Sequence, residues 1–289
     1  MKLLATLAAL SCLAAGQDLK GVFDIHAHAD PDGMARSIDA IDLGKLAQSA
    51  GMRGLILKNH YEPTAGLAYL VRKEVPGLEA FGGIALNLPV GGINPAAVEW
   101  MTKVKGGYGR VVWMPTYDSE HHVTSQRESR PFVPISRDGK LLPQVVEVIG
   151  LIAKHKLVLA TGHSSPEEVL LLIREAKRQG VEHIVVTHAT NNFVGMNVSQ
   201  MQEAASLGAL LEFVRVRPGT PQVAETVQAI RAVGAASCIL SSDLGQAGNA
   251  IHTVGLLAFF DDLKKQGLTQ AEIDRMSKVN PAVLLGLKP

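Results

Sequence analysis

The stretch Val22-Phe23-Asp24-Ile25-His26-Ala27-His28 decides how the rest of the chain is interpreted. Residues 22–25 predict a short buried strand, and the two histidines come where that strand ends. Side chains two residues apart on a strand point the same way, so His26 and His28 can share one ion. By the same alternation we expect Asp24 to face this side, deeper in the fold, and to orient a histidine ring.

The same pattern of a short apolar run, a turn and an amphipathic segment continues to the end of the chain. Seven more runs predict strands at residues 54–57, 80–85, 110–113, 157–161, 183–187, 209–213 and 237–240. Helices between them begin with capping-box spacings at Ser165, Ser199 and Thr269. Strands that alternate with helices form a parallel sheet, and eight units suit a closed barrel. The sequence therefore predicts an α/β fold, a single-domain (β/α)8 TIM barrel.

The composition fits a protein that acts on a small molecule. Hydrophobic residues make up 47% of 289, which is ample for a large core, and the net charge is +1. A near-neutral chain lacks the basic surface that nucleic-acid binding needs, so we expect no such partner. Aromatic residues account for only 4%, so an aromatic-lined pocket is not expected. A homo-oligomer is compatible with the sequence.

The first sixteen residues differ from the rest of the chain. Lys2 precedes an apolar run and small residues, which is typical of a secretory signal peptide. We therefore divide the chain into a signal, 1–16, and a barrel, 17–289, and expect export to the periplasm or the medium. Lipoprotein cleavage before Cys12 and an unremoved N-terminal helix are the less favoured alternatives. No later segment predicts a membrane span.

Polar residues recur where the predicted strands end. Lys58 and His60 follow the second strand, and single residues of the same kind follow the fifth, sixth and eighth strands: His163, His188 and Asp243. Because the carboxyl ends of barrel strands meet at one mouth, these residues should converge with the first two histidines. Imidazoles with a carboxylate suit zinc, with manganese, iron or nickel as alternatives. The predicted metal ligands are His26, His28, His163, His188 and Asp243.

The segment between Trp113 and Leu141 is much longer than the other connections. It should overhang the mouth of the barrel, where TIM-barrel active sites are built. It contains Tyr117, His121, His122, Arg127 and Arg130. We predict substrate contacts from Trp113, His121 and His122 in or beside this segment, and from His60 at the end of the second strand. A solvated surface excursion is the alternative interpretation of this segment.

The order His-x-His, His, His, Asp on strands one, five, six and eight resembles the amidohydrolase superfamily. The tail, residues 280–287, is similar to the closing helix of its smaller members. Residues 57–60 and 112–116 are similar to those of a barrel group known only as a domain of unknown function. The resemblance covers the whole chain after the predicted signal. It implies a barrel enzyme with a divalent metal, from a compact branch of the phosphotriesterase-like, TatD-like or decarboxylase-like kind.

One departure from this superfamily bears on the number of ions. Two-metal members bring a bridging lysine or glutamate from strand four, where this chain has Trp113-Met114-Pro115. One ion is therefore favoured over two, with a bridge from Lys58 on strand two as the alternative. With one ion, His188 would contact substrate or water, and Lys58 would be a cation beside the site.

The reaction that the resemblance implies is metal-assisted hydrolysis of an ester, lactone, amide or phosphoester. Asp243 would be the general base, while Lys58, His60 and His188 would stabilise the oxyanion. A decarboxylase with the same ligands is the first rival. An exported protein that binds a metal or ligand without catalysis is the second.

Overall fold

The structure, a computed structural model, describes residues 18–215 and 219–289. Within them, eight strands form one parallel sheet in chain order, each paired with the next. The strands are β1 (Phe23–Ala27), β2 (Gly54–Leu57), β3 (Glu79–Ala85), β4 (Gly109–Trp113), β5 (Val158–Ala160), β6 (His183–Val186), β7 (Leu210–Val214) and β8 (Cys238–Ser241). Each lies within two residues of its predicted position.

The sheet closes between its first and last strands. Ala27 and Leu244 form a parallel bridge just beyond β8. Next to it, the Asp243 amide donates to the His26 carbonyl over 2.9 Å, and the His28 amide donates to the Leu244 carbonyl over 2.8 Å. The predicted (β/α)8 barrel is confirmed. The closure also ties the backbones of three predicted ligands together.

Helices follow the strands and cover the outside of the barrel. They are α1 (Ala40–Ser49), α2 (Ala65–Glu74), α3 (Pro95–Thr102), α4 (Glu120–Ser125), α5 (Pro143–Lys154), α6 (Pro166–Arg178), α7 (Val198–Ser206), α8 (Pro221–Val233), α9 (His252–Lys265), α10 (Gln270–Asp274) and α11 (Asn280–Leu284). The capping boxes predicted at Ser165 and Thr269 are present. The capping box predicted at Ser199 is wrong. The N-cap of α7 is Asn197, two residues before Ser199, and its capping-box partner is Gln200.

A bulge in β1 changes which residues face the mouth. Asp24 lies opposite Leu55, but Ala27 lies opposite Leu57, so β1 carries one extra residue. Ile25 belongs to the inner apolar cluster and Ala27 to the outer one. The expectation that Asp24 shares a side with the histidines is therefore wrong. Its Oδ1 accepts the backbone N–H groups of His26 and Ser242 instead of a ring nitrogen.

Two apolar layers stabilise the barrel, and the polar residues lie at one of its ends. The inner layer fills the barrel with side chains such as Phe23, Val111 and Trp113, and Leu284 of α11 packs onto it. The outer layer lies between the strands and the helices. Parallel strands with both faces covered are stabilised mainly by this burial. The polar residues lie beyond the carboxyl ends of the strands.

The long segment after β4 is partly regular. It contains α4, capped by Ser119, and a two-stranded hairpin of Ser136–Arg137 with Lys140–Leu141. Arg130 anchors it by ion pairs with Asp118 and Glu128. His122 and Val123 of α4 are buried. The segment therefore packs onto the barrel as a structured cover.

The predicted signal, residues 1–16, and Cys12 lie outside the described residues, and export stays a prediction. In the part of the chain that is described, no helix has the length and apolar character to cross a membrane.

Candidate metal centre

Three predicted ligands meet at the mouth of the barrel. Oδ1 of Asp243 lies 3.1 Å from Nε2 of His26 and 3.1 Å from Nε2 of His28. Both histidines are almost fully buried, while the Asp243 side chain keeps 22% of its surface exposed. Within residues 18–215 and 219–289, these three form the group whose donor atoms are close enough to hold one ion.

Glu212, on β7, orients the first of these ligands and was not predicted. Its Oε1 accepts from Nδ1 of His26 at 3.1 Å and from the Ser241 hydroxyl at 2.7 Å. Its Oε2 accepts the backbone N–H of His188 at 2.9 Å. Burial alone would raise the pKa of Glu212, but the charge and hydrogen bond of His26 outweigh it and lower the pKa to about 2. Glu212 is therefore an anion held by three donors.

This arrangement tests whether a cation fits the site. An ionised Glu212 can only accept, so Nδ1 of His26 donates to it, and Nε2 of the ring is turned towards Asp243 and Lys58. Nε2 of His26 and Nε2 of His28 each lie 3.1 Å from Oδ1 of Asp243, so three possible ligand atoms lie within reach of one ion. The donor set of two imidazoles and a carboxylate therefore fits a divalent metal.

Lys58 supplies a positive group at the same point. Its Nζ lies 2.9 Å from Nε2 of His26 and 5.8 Å from the centre of the Trp113 ring. The residue is 1% exposed, and burial lowers its pKa to about 8. A lysine in this state can give up its proton far more readily than one in water.

His163 and His188 stand next to the three ligands without joining them. Their ring centres are 5.0 Å apart, and the His188 ring lies 5.7 Å from that of His26. Burial lowers the pKa of His188 to about 4 and holds that of His163 well below its usual range. Both rings are therefore neutral near pH 7 and available as donors to a metal or a substrate.

An aromatic wall faces the histidines, contrary to the expectation from composition. The Tyr117 ring lies 4.3 Å from that of His60 and 5.5 Å from that of His163. Phe193 stacks on His163 at 5.2 Å. Thirteen aromatic residues in 289 are few, but two are placed here by the segments after β4 and β6. Low aromatic content therefore did not predict the local lining.

The four predicted substrate contacts separate into three kinds of position. His60 and His122 belong to the cluster, with Nδ1 of His122 3.3 Å from Nδ1 of His163. Trp113 lies in the apolar layer inside the barrel, beneath Lys58. His121 points elsewhere, into a surface cleft that it shares with Thr124 and Glu168.

Backbone strain marks two members of the cluster. His188 and Asp243 have positive φ angles, 25° and 47°, which non-glycine residues rarely adopt. Such conformations persist where the surrounding structure holds them, often at functional sites. Both residues are held by backbone hydrogen bonds, His188 to Glu212 and Asp243 to His26.

A family model described as "Family of unknown function (DUF6282)" matches residues 21–212. The chain belongs to this family. The matched part of this DUF6282 protein runs from two residues before β1 to Glu212 in β7. No curated protein matches the sequence.

Solved structures share the fold of the DUF6282 protein at low sequence identity. An amidohydrolase from Pseudomonas aeruginosa is 12% identical, with a TM-score of 0.64, over 92% of this chain and 97% of that one. An organophosphorus hydrolase mutant from Deinococcus radiodurans is 14% identical, with a TM-score of 0.60, over 93% and 94%. A 2,6-dihydroxybenzoate decarboxylase is 13% identical, with a TM-score of 0.57, over 94% and 100%. The resemblance to amidohydrolases is confirmed at the level of the fold.

Proposed function

We propose that the DUF6282 protein is a metal-dependent hydrolase of the amidohydrolase type, with its ion on His26, His28 and Asp243. The observation that carries the proposal is the convergence of Nε2 of His26 and Nε2 of His28 on the Asp243 carboxylate, each at 3.1 Å, with the His26 ring oriented by Glu212. Zinc is the favoured ion for this donor set, with manganese, iron and nickel as alternatives. His163 and His188 lie beside this group, outside the three donor atoms within reach of one ion, and would contact the substrate.

A divalent ion in this position would supply a Lewis acid that polarises the scissile bond and lowers the pKa of water. The protein's own groups then move the protons. Asp243 accepts the proton of the attacking water and returns it to the leaving group. Its side chain is the most exposed of the three ligands, at 22%, so its carboxylate can reach a substrate. Burial would raise the pKa of Asp243, but attraction to His26 holds it well below its usual range, so the base is ionised.

Two residues beside the ligands supply positive charge and hydrogen-bond donors. Lys58 lies beside His26, and His60 lies between His28 and Tyr117, with ring centres 5.0 Å and 4.3 Å away. These groups stabilise the negative charge that develops on a carbonyl or phosphoryl oxygen. Tyr117 and Phe193 give the substrate an apolar wall. Lactones, amides and esters with a flat apolar part are the first substrates to screen.

One ion is favoured over two in this proposal. The end of β4 has no lysine or carboxylate, and the described residues hold a single group of three ligands within reach of one ion. A second ion would need Lys58 as a bridge from β2. Metal analysis separates these cases.

Elemental analysis of the purified protein tests the proposal first. The wild type should hold about one zinc or manganese per chain, and His26→Ala should lose it. His155→Ala is the matched control, because His155 pairs with Glu99 on the surface. Asp243→Asn should abolish turnover on a lactone, amide and phosphoester panel while it spares the fold, since asparagine tolerates the positive φ. An active Asp243→Asn protein, or no metal after reconstitution, would refute the proposal.

A decarboxylase is the second candidate, and the position of Lys58 favours it. A buried lysine whose Nζ lies 2.9 Å from a ligand nitrogen can pair with a substrate carboxylate. Product analysis distinguishes the two reactions. A hydrolase incorporates oxygen from labelled water, whereas a decarboxylase releases carbon dioxide and incorporates none. A protein that binds metal but converts nothing in either panel would be a binding protein.

A further inference from the structure

A buried amide beyond β3 has one defined orientation. Asn87 is 0% exposed, and its Oδ1 accepts the backbone N–H groups of Thr116 at 2.9 Å and Asp118 at 3.2 Å. Backbone N–H groups can only donate, so the atom that faces them must be the amide oxygen. The amide nitrogen therefore faces the opposite way, and exchanging the two atoms would break both hydrogen bonds.

The two hydrogens of that nitrogen have two partners. Nδ2 of Asn87 lies 2.7 Å from the carbonyl oxygen of His60 and 2.7 Å from Oγ1 of Thr116. A carbonyl oxygen can only accept, which supports the same orientation of the amide. The Thr116 hydroxyl therefore accepts one hydrogen bond from Asn87 and still has its own hydrogen to donate.

The remaining neighbour of that hydroxyl is His60. Oγ1 of Thr116 lies 2.9 Å from Nδ1 of His60. If Nδ1 carried a proton, the Thr116 hydrogen would have no acceptor among the described residues, at a buried position where a lost hydrogen bond costs about 1–3 kcal/mol. The satisfied arrangement has Thr116 donating to an unprotonated Nδ1.

We propose that Asn87 and Thr116 are positioning residues that hold His60 in its Nε2–H tautomer. His60 is then a hydrogen-bond donor, not a general base. No described residue hydrogen-bonds Nε2 of His60, and this atom is not among the buried unpaired ones. Its ring lies between those of His28 and Tyr117, beside the proposed ion. The partner that fits Nε2–H is an acceptor oxygen of the substrate, a carbonyl, carboxylate or phosphoryl oxygen.

The catalytic consequence rests on the proposed function, but the tautomer does not. Long-range proton–nitrogen NMR on zinc-loaded protein with ¹⁵N-labelled histidine reports which ring nitrogen of each histidine is protonated. His60→Gln assigns the signals. We expect a protonated Nε2 and an unprotonated Nδ1 for His60 in the wild type. A His60 that is protonated at Nδ1 would overturn the inference and leave the hydrolase proposal untouched.

Two variants of Thr116 test the positioning role. Thr116→Val keeps the shape but removes the hydroxyl, so His60 should show a mixture of tautomers, while Thr116→Ser should keep the wild-type state. Once a substrate has been identified, kcat/KM of Thr116→Val should be about tenfold lower than that of the wild type. This loss is smaller than the roughly 10²- to 10³-fold decrease in rate that follows removal of a whole oxyanion donor. An unchanged tautomer in Thr116→Val would overturn the role. Absence of turnover in all proteins would count against the proposed function alone.

Discussion

Nδ1 of His26 donates a hydrogen bond to Oε1 of Glu212 over 3.1 Å, although the two residues are 186 positions apart in the sequence. This bond fixes the orientation of the ring and turns its other nitrogen, Nε2, towards the Asp243 carboxylate 3.1 Å away. Carboxylate–histidine pairs behind a metal fix the tautomer and raise the basicity of the ligand. The same carboxylate also holds the backbone of His188. Glu212 on β7 thus holds His26 of β1 and the backbone just after β6 in place at the candidate metal centre.

Replacing Glu212 by glutamine should weaken metal binding. The amide oxygen can still accept hydrogen bonds, but the side chain loses its charge and its second acceptor atom, the one that now accepts from the backbone of His188. We expect the zinc Kd of Glu212→Gln to rise about 10- to 100-fold. Competition with a chromogenic chelator measures this value.

Glu203→Gln is the matched control for that experiment, because Glu203 forms a surface ion pair with Arg174. Its zinc affinity should equal that of the wild type. Equal affinities in all three proteins would contradict the role given to Glu212.

The architecture could be predicted because it depends on local sequence. The buried parallel strands are short apolar runs, and the caps of Ser165 and Thr269 are local signals. The bulge in β1 was not predictable, because it shows itself only in the pairing of Asp24 with Leu55 and Ala27 with Leu57. The simple alternation of side chains therefore placed Asp24 on the wrong side.

The site was predicted in part for the same reason. His26 lies at the end of β1, and His28 and Asp243 come shortly after β1 and β8, and barrel geometry brings strand ends together. Glu212 had a signal of its own, a charged residue inside the apolar run Leu210-Leu211-Glu212-Phe213-Val214. Asn87 and Thr116 carry no such signal in the sequence. Their roles come from contacts between distant residues, since Asn87 is 27 positions from His60 and 29 positions from Thr116.

Gly245 allows β1 to close against the segment after β8. Its φ is 121°, and a Cβ built there would lie 2.0 Å from the carbonyl oxygen of His28. Gly245→Ala must therefore move the backbone of a proposed ligand. We expect a loss of more than about 3 kcal/mol in the free energy of unfolding, together with weaker zinc binding. Urea unfolding and chelator competition measure the two effects.

Gly248→Ala is the control that distinguishes the steric clash with His28 from the strain that any alanine has at a positive φ. Gly248 also has a positive φ, 88°, but a Cβ there would meet nothing within 4 Å. This variant should lose only about 1–2 kcal/mol and keep its zinc affinity. If both variants behaved alike, the contact with His28 would not be the cause.

His252, at the start of α9, should make the protein sensitive to acid. Burial lowers its pKa from 6.5 to about 4. The unfolded chain therefore takes up a proton near pH 6.5, whereas the folded protein does so only near pH 4. Between these values the unfolded state holds more protons, so stability falls as the pH falls, by up to about 3 kcal/mol.

The non-titrating variant His252→Gln should lose this part of the pH dependence. Urea unfolding of both proteins across the window from pH 6.5 to 4 gives the comparison. Above pH 6.5 His252 is uncharged in both the folded and the unfolded wild type. The free energies of unfolding of the two proteins should therefore change with pH in the same way there. Curves that stay parallel down to pH 4 would show that His252 does not titrate as described.

Cys238 should be unreactive in the folded protein. It is 0% exposed on β8, and burial raises the pKa of its thiol to about 12. Since the thiolate is the reactive species, alkylation by iodoacetamide at about pH 8 should be slower than for an ordinary thiol by at least roughly a thousandfold. Ala236→Cys places a thiol at an exposed position two residues away and provides the control. Peptide mass spectrometry should find the control site modified first and Cys238 modified only after denaturation. Equal rates at the two positions would mean that the strand opens on the timescale of the reaction.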